Sequence, residues 1–220
     1  MKACISAVYF ENIPLEIAAY QTRVVDRFNV GGYPFYQNLV HSTVGHGAAI
    51  DWFLERNWRE LGYDVLLFLD IDCIPLSPVA IDYYLERAAA GLLVGNIQRS
   101  NHIENNEHLF VAPSAMALSI ETYEKIGQPS AVATARGDVG EEFTFAAEEK
   151  GVGIEVTLPS RYDTKPRECE YWPLKPGMPV YGCGTTFTHP VLGDLFWHSF
   201  QIWRPDQQLN FERKCVKVLS

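Results

Sequence analysis

Residues 65–76 read VLLFLDIDCIPL, and the fold is decided there. Val65 to Leu69 form an unbroken apolar run, the pattern of a strand buried on both faces of a parallel sheet. Asp70 and Asp72 follow at its C-terminal end. Strand side chains alternate faces, so the two carboxylates point one way and Ile71 the other. In open α/β sheets ligands bind beyond the carboxyl ends of the strands. A hard divalent cation held by paired carboxylates in that place would reach a substrate's phosphate oxygens. Ser77 and Pro78 then supply an N-cap and a first helical residue for VAIDYYLERAA, which sets the acidic pair at a strand-to-helix junction.

Working outward, Lys2 to Tyr9 reads as a first strand and PLEIAAYQTRVVDRF as an amphipathic helix from Pro14. Tyr9, Phe10 and Glu11 therefore fall at a strand end. Gly31-Gly32 breaks the pattern, YPFYQNLV is a short second strand, and His46 to Leu61 is a helix closed by Gly62, with His46 as a helix-start residue. Beyond the acidic pair come a helix ending at Gly91, a strand LLVGNIQ, and a polar loop SNHIENNEH whose His102 and His108 read as surface residues. LFVAPSAMALSIETYEKIG passes from strand into a helix from Ile120 to Gly127, a further helix spans Glu141 to Lys150, and GIEVTLP is a strand. After Arg161 the periodicity fades in RYDTKPRECEYWPLKPGMP. Alternating strands and helices imply a mostly parallel three-layer α/β sheet.

At 220 residues and 47% hydrophobic, the chain is expected to build one domain over 1–220, with a nucleotide and metal half near 1–95 and an acceptor half plus tail near 96–220. No apolar stretch approaches a membrane span, and MKACISAVYF meets Glu11 without a cleavage site, so a cytoplasmic protein with no membrane span is expected. Five cysteines without C-x-x-C spacing suggest reduced thiols. The net charge of −9 argues against a general nucleic-acid binder. Residues 161–220, with eight basic and six acidic groups, are the one anion-facing region.

LDIDCIPLSP resembles the D-x-D motif of nucleotide-sugar-dependent glycosyltransferases of the GT-A fold, family-2-like. HGAAIDWFLERN, HLFVAPSAMALSIETYEKIG and GDVGEEFTFAAEEKG fit the same pattern in order, over residues 2–158. The resemblance implies a three-layer, Rossmann-like fold and a metal-dependent transfer of a hexosyl or related sugar to an acceptor hydroxyl. Its cofactor is Mn²⁺ or Mg²⁺, and its donor a nucleotide diphosphate sugar, a UDP-sugar favoured.

Within that pattern Asp70 and Asp72 hold the metal and Asp70 also contacts the nucleotide. A C-terminal His supplies a third ligand, which maps onto His198 in LFWHSFQIW, with His189 as the alternative. The second member of an acidic pair at a helix start is the base of inverting enzymes, which maps onto Glu142, with Glu141 and Asp138 as further candidates. Tyr9 or Phe10 would stack on the nucleobase, Glu11 accept from its N–H, and Arg161, Lys165 and Arg167 approach the diphosphate. A non-catalytic nucleotide-sugar binder and a nucleotidyltransferase are the alternatives. The latter expects a Gly-rich basic loop where this chain has YFENIPLE. The acceptor stays open among a glycan, a small molecule, a protein and a hydroxymethylated DNA base.

Overall fold

The computed structural model describes residues 1–100, 107–163 and 171–220, apart from the side chains at 56 and 57. His102, Lys165 and Arg167 lie outside the described residues.

The chain alternates strand and helix from its start: β1 (Ala3–Phe10), α1 (Leu15–Phe28), β2 (Phe35–Val40), α2 (His46–Trp52), a π-helical turn (Phe53–Trp58), α3 (Arg59–Leu61) and β3 (Val65–Asp70). A short β4 (Cys73–Pro75) precedes α4 (Ala80–Ala89), β5 (Leu93–Arg99), β6 (Leu109–Ser119), α5 (Ile120–Lys125), α6 (Glu141–Glu149) and β7 (Ile154–Tyr162). The remaining elements are β8 (Tyr171–Pro173), β9 (Val180–Gly182), β10 (Thr185–His189), β11 (Gly193–His198) and α7 (Pro205–Leu219).

Among the described residues, nine strands form one sheet in the order β2-β1-β3-β6-β5-β7-β10-β11-β4. In its first six strands only β6 runs against the rest, since β1 is parallel to β2 and β3, and β5 to β7, while β6 is antiparallel to β3 and β5. The mostly parallel, Rossmann-like part of the sheet is therefore here. β10, β11 and β4 extend it by antiparallel pairing.

The apolar run of β3 explains the layering. Leu66 and Phe68 pack with Ile50, Phe53 and Trp58 on one face, whereas Leu67 and Leu69 pack with Tyr84 and Leu85 of α4 on the other. All five residues Val65 to Leu69 are buried, as a central strand with helices on both faces requires. Asp70 continues the parity of Leu66 and Phe68, toward the side on which α2 lies. The helix expected from Pro78 begins instead at Ala80, because Ser77 to Val79 form a tighter lead-in turn, closed by the Ala80 N–H donating to the Ser77 carbonyl at 3.2 Å.

Cys4, Cys73 and Cys215 are free and buried. Cys183 is disulfide-bonded, so the expectation of reduced thiols fails there. Among the described residues no helix is long and apolar enough to cross a membrane.

Candidate metal centre

After β3 the chain turns at Ile71 and Asp72 and re-enters the sheet as β4. Gln21, buried on α1, holds this turn by donating its amide to the carbonyls of Asp70 (2.7 Å) and Cys73 (2.9 Å). Ile71 packs into the cluster shared by α1 and α7. β4 then pairs antiparallel with β11 in a register that sets His198 opposite Cys73. One residue further, the Ser199 N–H donates to the Asp72 carbonyl at 3.0 Å.

That pairing carries an imidazole from the tail onto the acidic pair. His198 Nε2 lies 3.1 Å from Asp72 Oδ1 and 3.7 Å from Asp70 Oδ2. One ligand atom from each of the three residues falls within 4.8 Å of the others. Asp72 and His198 are 4% and 5% exposed. Buried like charges are costly without a counter-charge. Two carboxylates and an imidazole form an oxygen-rich donor set that fits Mn²⁺ or Mg²⁺, and without thiolates it does not fit structural zinc.

His46, the first residue of α2, approaches from the opposite side, its Nε2 3.0 Å from Asp70 Oδ1. The Phe10 ring meets it edge-on, with centroids 6.3 Å apart. Burial alone would lower the His46 pKa, but the carboxylates of Asp70, Asp72 and Asp138 outweigh it and hold the ring above its ordinary value. Burial likewise opposes ionisation of Asp70, yet His46 and His198 hold its carboxyl below the usual range.

The centre opens into a cleft of about 600 Å³ beyond the C-terminal ends of β1 and β3, lined by Phe10, His46, Asp70, Asp72, Asp138 and His198. Trp172, Phe200 and Trp203 line it as well. Trp203 is 65% exposed, and the segment that presents it holds Phe200 and Gln201 at φ of 60° and 52°. Two successive non-glycine residues in the left-handed region are backbone strain of the sort that gathers at binding sites.

The other residues singled out in the sequence are placed as follows. Glu141 is fully buried and turns back under its own helix start, accepting from the Asp138 N–H at 2.8 Å, Ser100 Oγ at 2.5 Å and His108 Nδ1 at 2.7 Å. Glu142 points outward to Arg136, 2.9 Å from its Nε, and to Thr134 Oγ1 at 2.8 Å. Arg136 holds the Glu142 carboxyl below its ordinary range. Neither glutamate lines the cleft, whereas Asp138 does.

Tyr9 packs into the cluster of α1 and α7, while Glu11 is exposed against Ser42 Oγ at 3.0 Å and His41 Nε2 at 3.3 Å. Arg161 is paired with Asp194 across β7 and the β10–β11 hairpin, outside the cleft lining. His189 accepts from the Val191 and Leu192 N–H groups at 3.2 Å, so it closes the β10–β11 turn away from the metal centre. Gln21 carried no signal of a role in the sequence, and His46 showed only as a helix start. What could have marked His46 is its place one turn before the apolar positions of α2 that face Asp70's side of the sheet.

No protein-family model and no curated protein matches the chain. Solved structures similar to it include A197 from STIV (12% identity, 72% of this chain and 82% of that chain, TM-score 0.47). A second is a mutant of Drosophila β1,4-galactosyltransferase 7 in complex with manganese, UDP-Gal and xylobiose (14% identity, 71% of this chain, TM-score 0.46). This chain spans 65% of that galactosyltransferase, just under two thirds of its length. A third is 4-diphosphocytidyl-2C-methyl-D-erythritol synthase from Anaerococcus prevotii (12% identity, 72% of this chain and 90% of that chain, TM-score 0.44).

Proposed function

We propose that the chain is a metal-dependent glycosyltransferase that moves a sugar from a nucleotide diphosphate sugar to an acceptor hydroxyl. One observation carries this reading: Asp70, Asp72 and His198 converge within 4.8 Å at the end of a parallel strand and the floor of a cleft. A diphosphate would be held there through the cation, because the two carboxylates alone repel anions. A Mn²⁺ or Mg²⁺ ion held there would supply the Lewis acid that neutralises charge on the departing nucleoside diphosphate.

The protein's own groups supply the rest. Asp72 and His198 are buried and fixed by the β4–β11 register, so they are preorganised for the cation. Asp138, on the loop before α6, is the carboxylate of the acidic cluster that reaches the cleft, and it serves as base for the acceptor hydroxyl. With Asp138 taking its proton, the acceptor hydroxyl would attack the anomeric carbon in a single in-line displacement opposite the departing nucleoside diphosphate, which inverts that centre. Phe10, at the end of β1 and beside His46, offers a ring to the nucleobase. Among the described residues that line the cleft there is no Lys or Arg, which, with the net charge of −9, weighs against a nucleic-acid acceptor. The nucleotide is taken to be a uridine diphosphate.

The test is a panel of nucleotide sugars with Mn²⁺ or Mg²⁺, followed for free nucleoside diphosphate. Metal-dependent release supports the reading. Release of pyrophosphate from nucleoside triphosphate and sugar phosphate would instead mark a nucleotidyltransferase. Tight donor binding without any turnover, acceptors included, would mark a binding protein.

A further inference from the structure

We infer that His46 is a positioning residue of the metal centre, holding Asp70 in the orientation in which it meets the cation. The inference rests on the metal-dependent reading above and goes beyond its ligand set.

The two oxygens of Asp70 face different partners. Oδ1 lies 3.0 Å from His46 Nε2, and Oδ2 lies 3.7 Å from His198 Nε2. The ion-pair contact of His46 Nε2 with the first oxygen leaves the second turned toward Asp72 and His198. Asp70 is the least buried of the three ligands, its side chain 16% exposed against 6% for each of the others. It also lacks what fixes Asp72, whose backbone is tied to Ser199 at 3.0 Å and whose carboxylate meets His198. Its backbone is held through Gln21, but a free aspartate side chain still rotates. His46 is the group that stops it.

For this His46 must itself be fixed, and α2 is clamped where it starts. Gly47 lies so close to the next segment that a Cβ would come within 2.5 Å of the Ala131 carbonyl oxygen. Asp51, one turn on, accepts the Ala131 N–H at 2.6 Å and Ser130 Oγ at 2.5 Å. The same segment is closed by the Gly140 N–H donating to the Ala131 carbonyl at 2.9 Å. The loop that carries Asp138 and the helix that carries His46 are thus locked together, and the lock ends on Asp70. Partners of this kind around a ligand set its rotamer, and their loss usually weakens metal binding by about 10–100-fold.

The test uses the full chain and Mn²⁺ alone, read by electron paramagnetic resonance, which needs neither donor nor acceptor. His46→Ala is expected to weaken Mn²⁺ binding by about 10–100-fold, with His46→Gln, which keeps an N–H near the same place, recovering most of the loss. The electron spin-echo signature of a directly bound imidazole nitrogen should persist in His46→Ala and vanish in His198→Ala. Equal Mn²⁺ affinity in wild type and His46→Ala would overturn the inference while sparing the metal centre. Loss of the nitrogen signature in His46→Ala would overturn it too, by making His46 a ligand. Absence of Mn²⁺ binding in the wild type would overturn the metal reading and the inference with it. Thermal melts of each variant without metal show whether it is folded, and the His46→Gln comparison stands even where the alanine variant melts early.

Discussion

His198 and Asp72 are 126 residues apart in the chain and 3.1 Å apart in space, Nε2 to Oδ1. The contact is a consequence of strand register. β11 pairs with the three-residue β4 that follows the acidic turn, and a slip by one residue would send the imidazole to the other face of the sheet. The tail thereby completes a site begun by β3.

His198→Ala should therefore cost metal affinity first. Calorimetric titration with Mn²⁺ is expected to show binding weakened by at least about tenfold, the scale at which even indirect partners of a metal act. His189→Ala, at the far end of the same hairpin, should leave the titration unchanged. Equal losses from the two substitutions would mean that hairpin stability, not ligation, is being read.

Asp138→Asn should lower transfer by roughly two to four orders of magnitude, the usual scale for a positioned base, with donor affinity retained. Glu142→Gln should change turnover by no more than a few-fold, because its carboxylate is engaged by Arg136 and faces away from the cleft. The Glu142 carboxyl is held below its ordinary range, so whatever this pair adds to stability is present above that range and is lost as the pH falls through the lowered value. Acid melts of wild type and Glu142→Gln should accordingly converge at low pH. Transfer rates for the two variants in the reverse order would move the base to the helix start.

Gln21→Leu should destabilise the fold by about 1–3 kcal/mol, the cost of leaving buried carbonyl groups unsatisfied, since its amide serves Asp70 and Cys73. Because those carbonyls bracket the turn that carries Asp72, Mn²⁺ affinity should fall as well. Denaturant titration paired with metal titration checks both effects. A stability loss without any change in metal affinity would show that the turn holds its shape unaided.

Much of this architecture was legible in the chain. The apolar run of β3, the period of α1 and α4, and the glycines after the helices are local signals, and Gly62 and Gly91 indeed take positive φ at 66° and 89°. The tail was not legible, because β8 to β11 are short strands whose pairing depends on partners far away in sequence. The three-residue β4 could not be told from a loop for the same reason. At the start of α6 the residue types were read correctly as acidic, but which carboxylate turns inward depends on the N–H groups that need capping. Glu141 is consumed by the Asp138 N–H and Ser100, and that competition is invisible in a string of letters. Cys183 shows a similar limit, since a disulfide depends on proximity and not on spacing.

Whether Asp70, Asp72 and His198 hold a divalent cation needed for donor cleavage is read from nucleoside diphosphate release by wild type and Asp72→Asn, each with Mn²⁺ and with excess chelator. Asparagine keeps the shape of the buried Asp72 side chain, so the variant should fold and bind the cation poorly. Metal-dependent release is expected from wild type, with Asp72→Asn lower by at least about a hundredfold, on the scale of losing a preorganised electrostatic group. Release at the full rate in excess chelator, or an Asp72→Asn variant as active as wild type, would contradict that role of the cation.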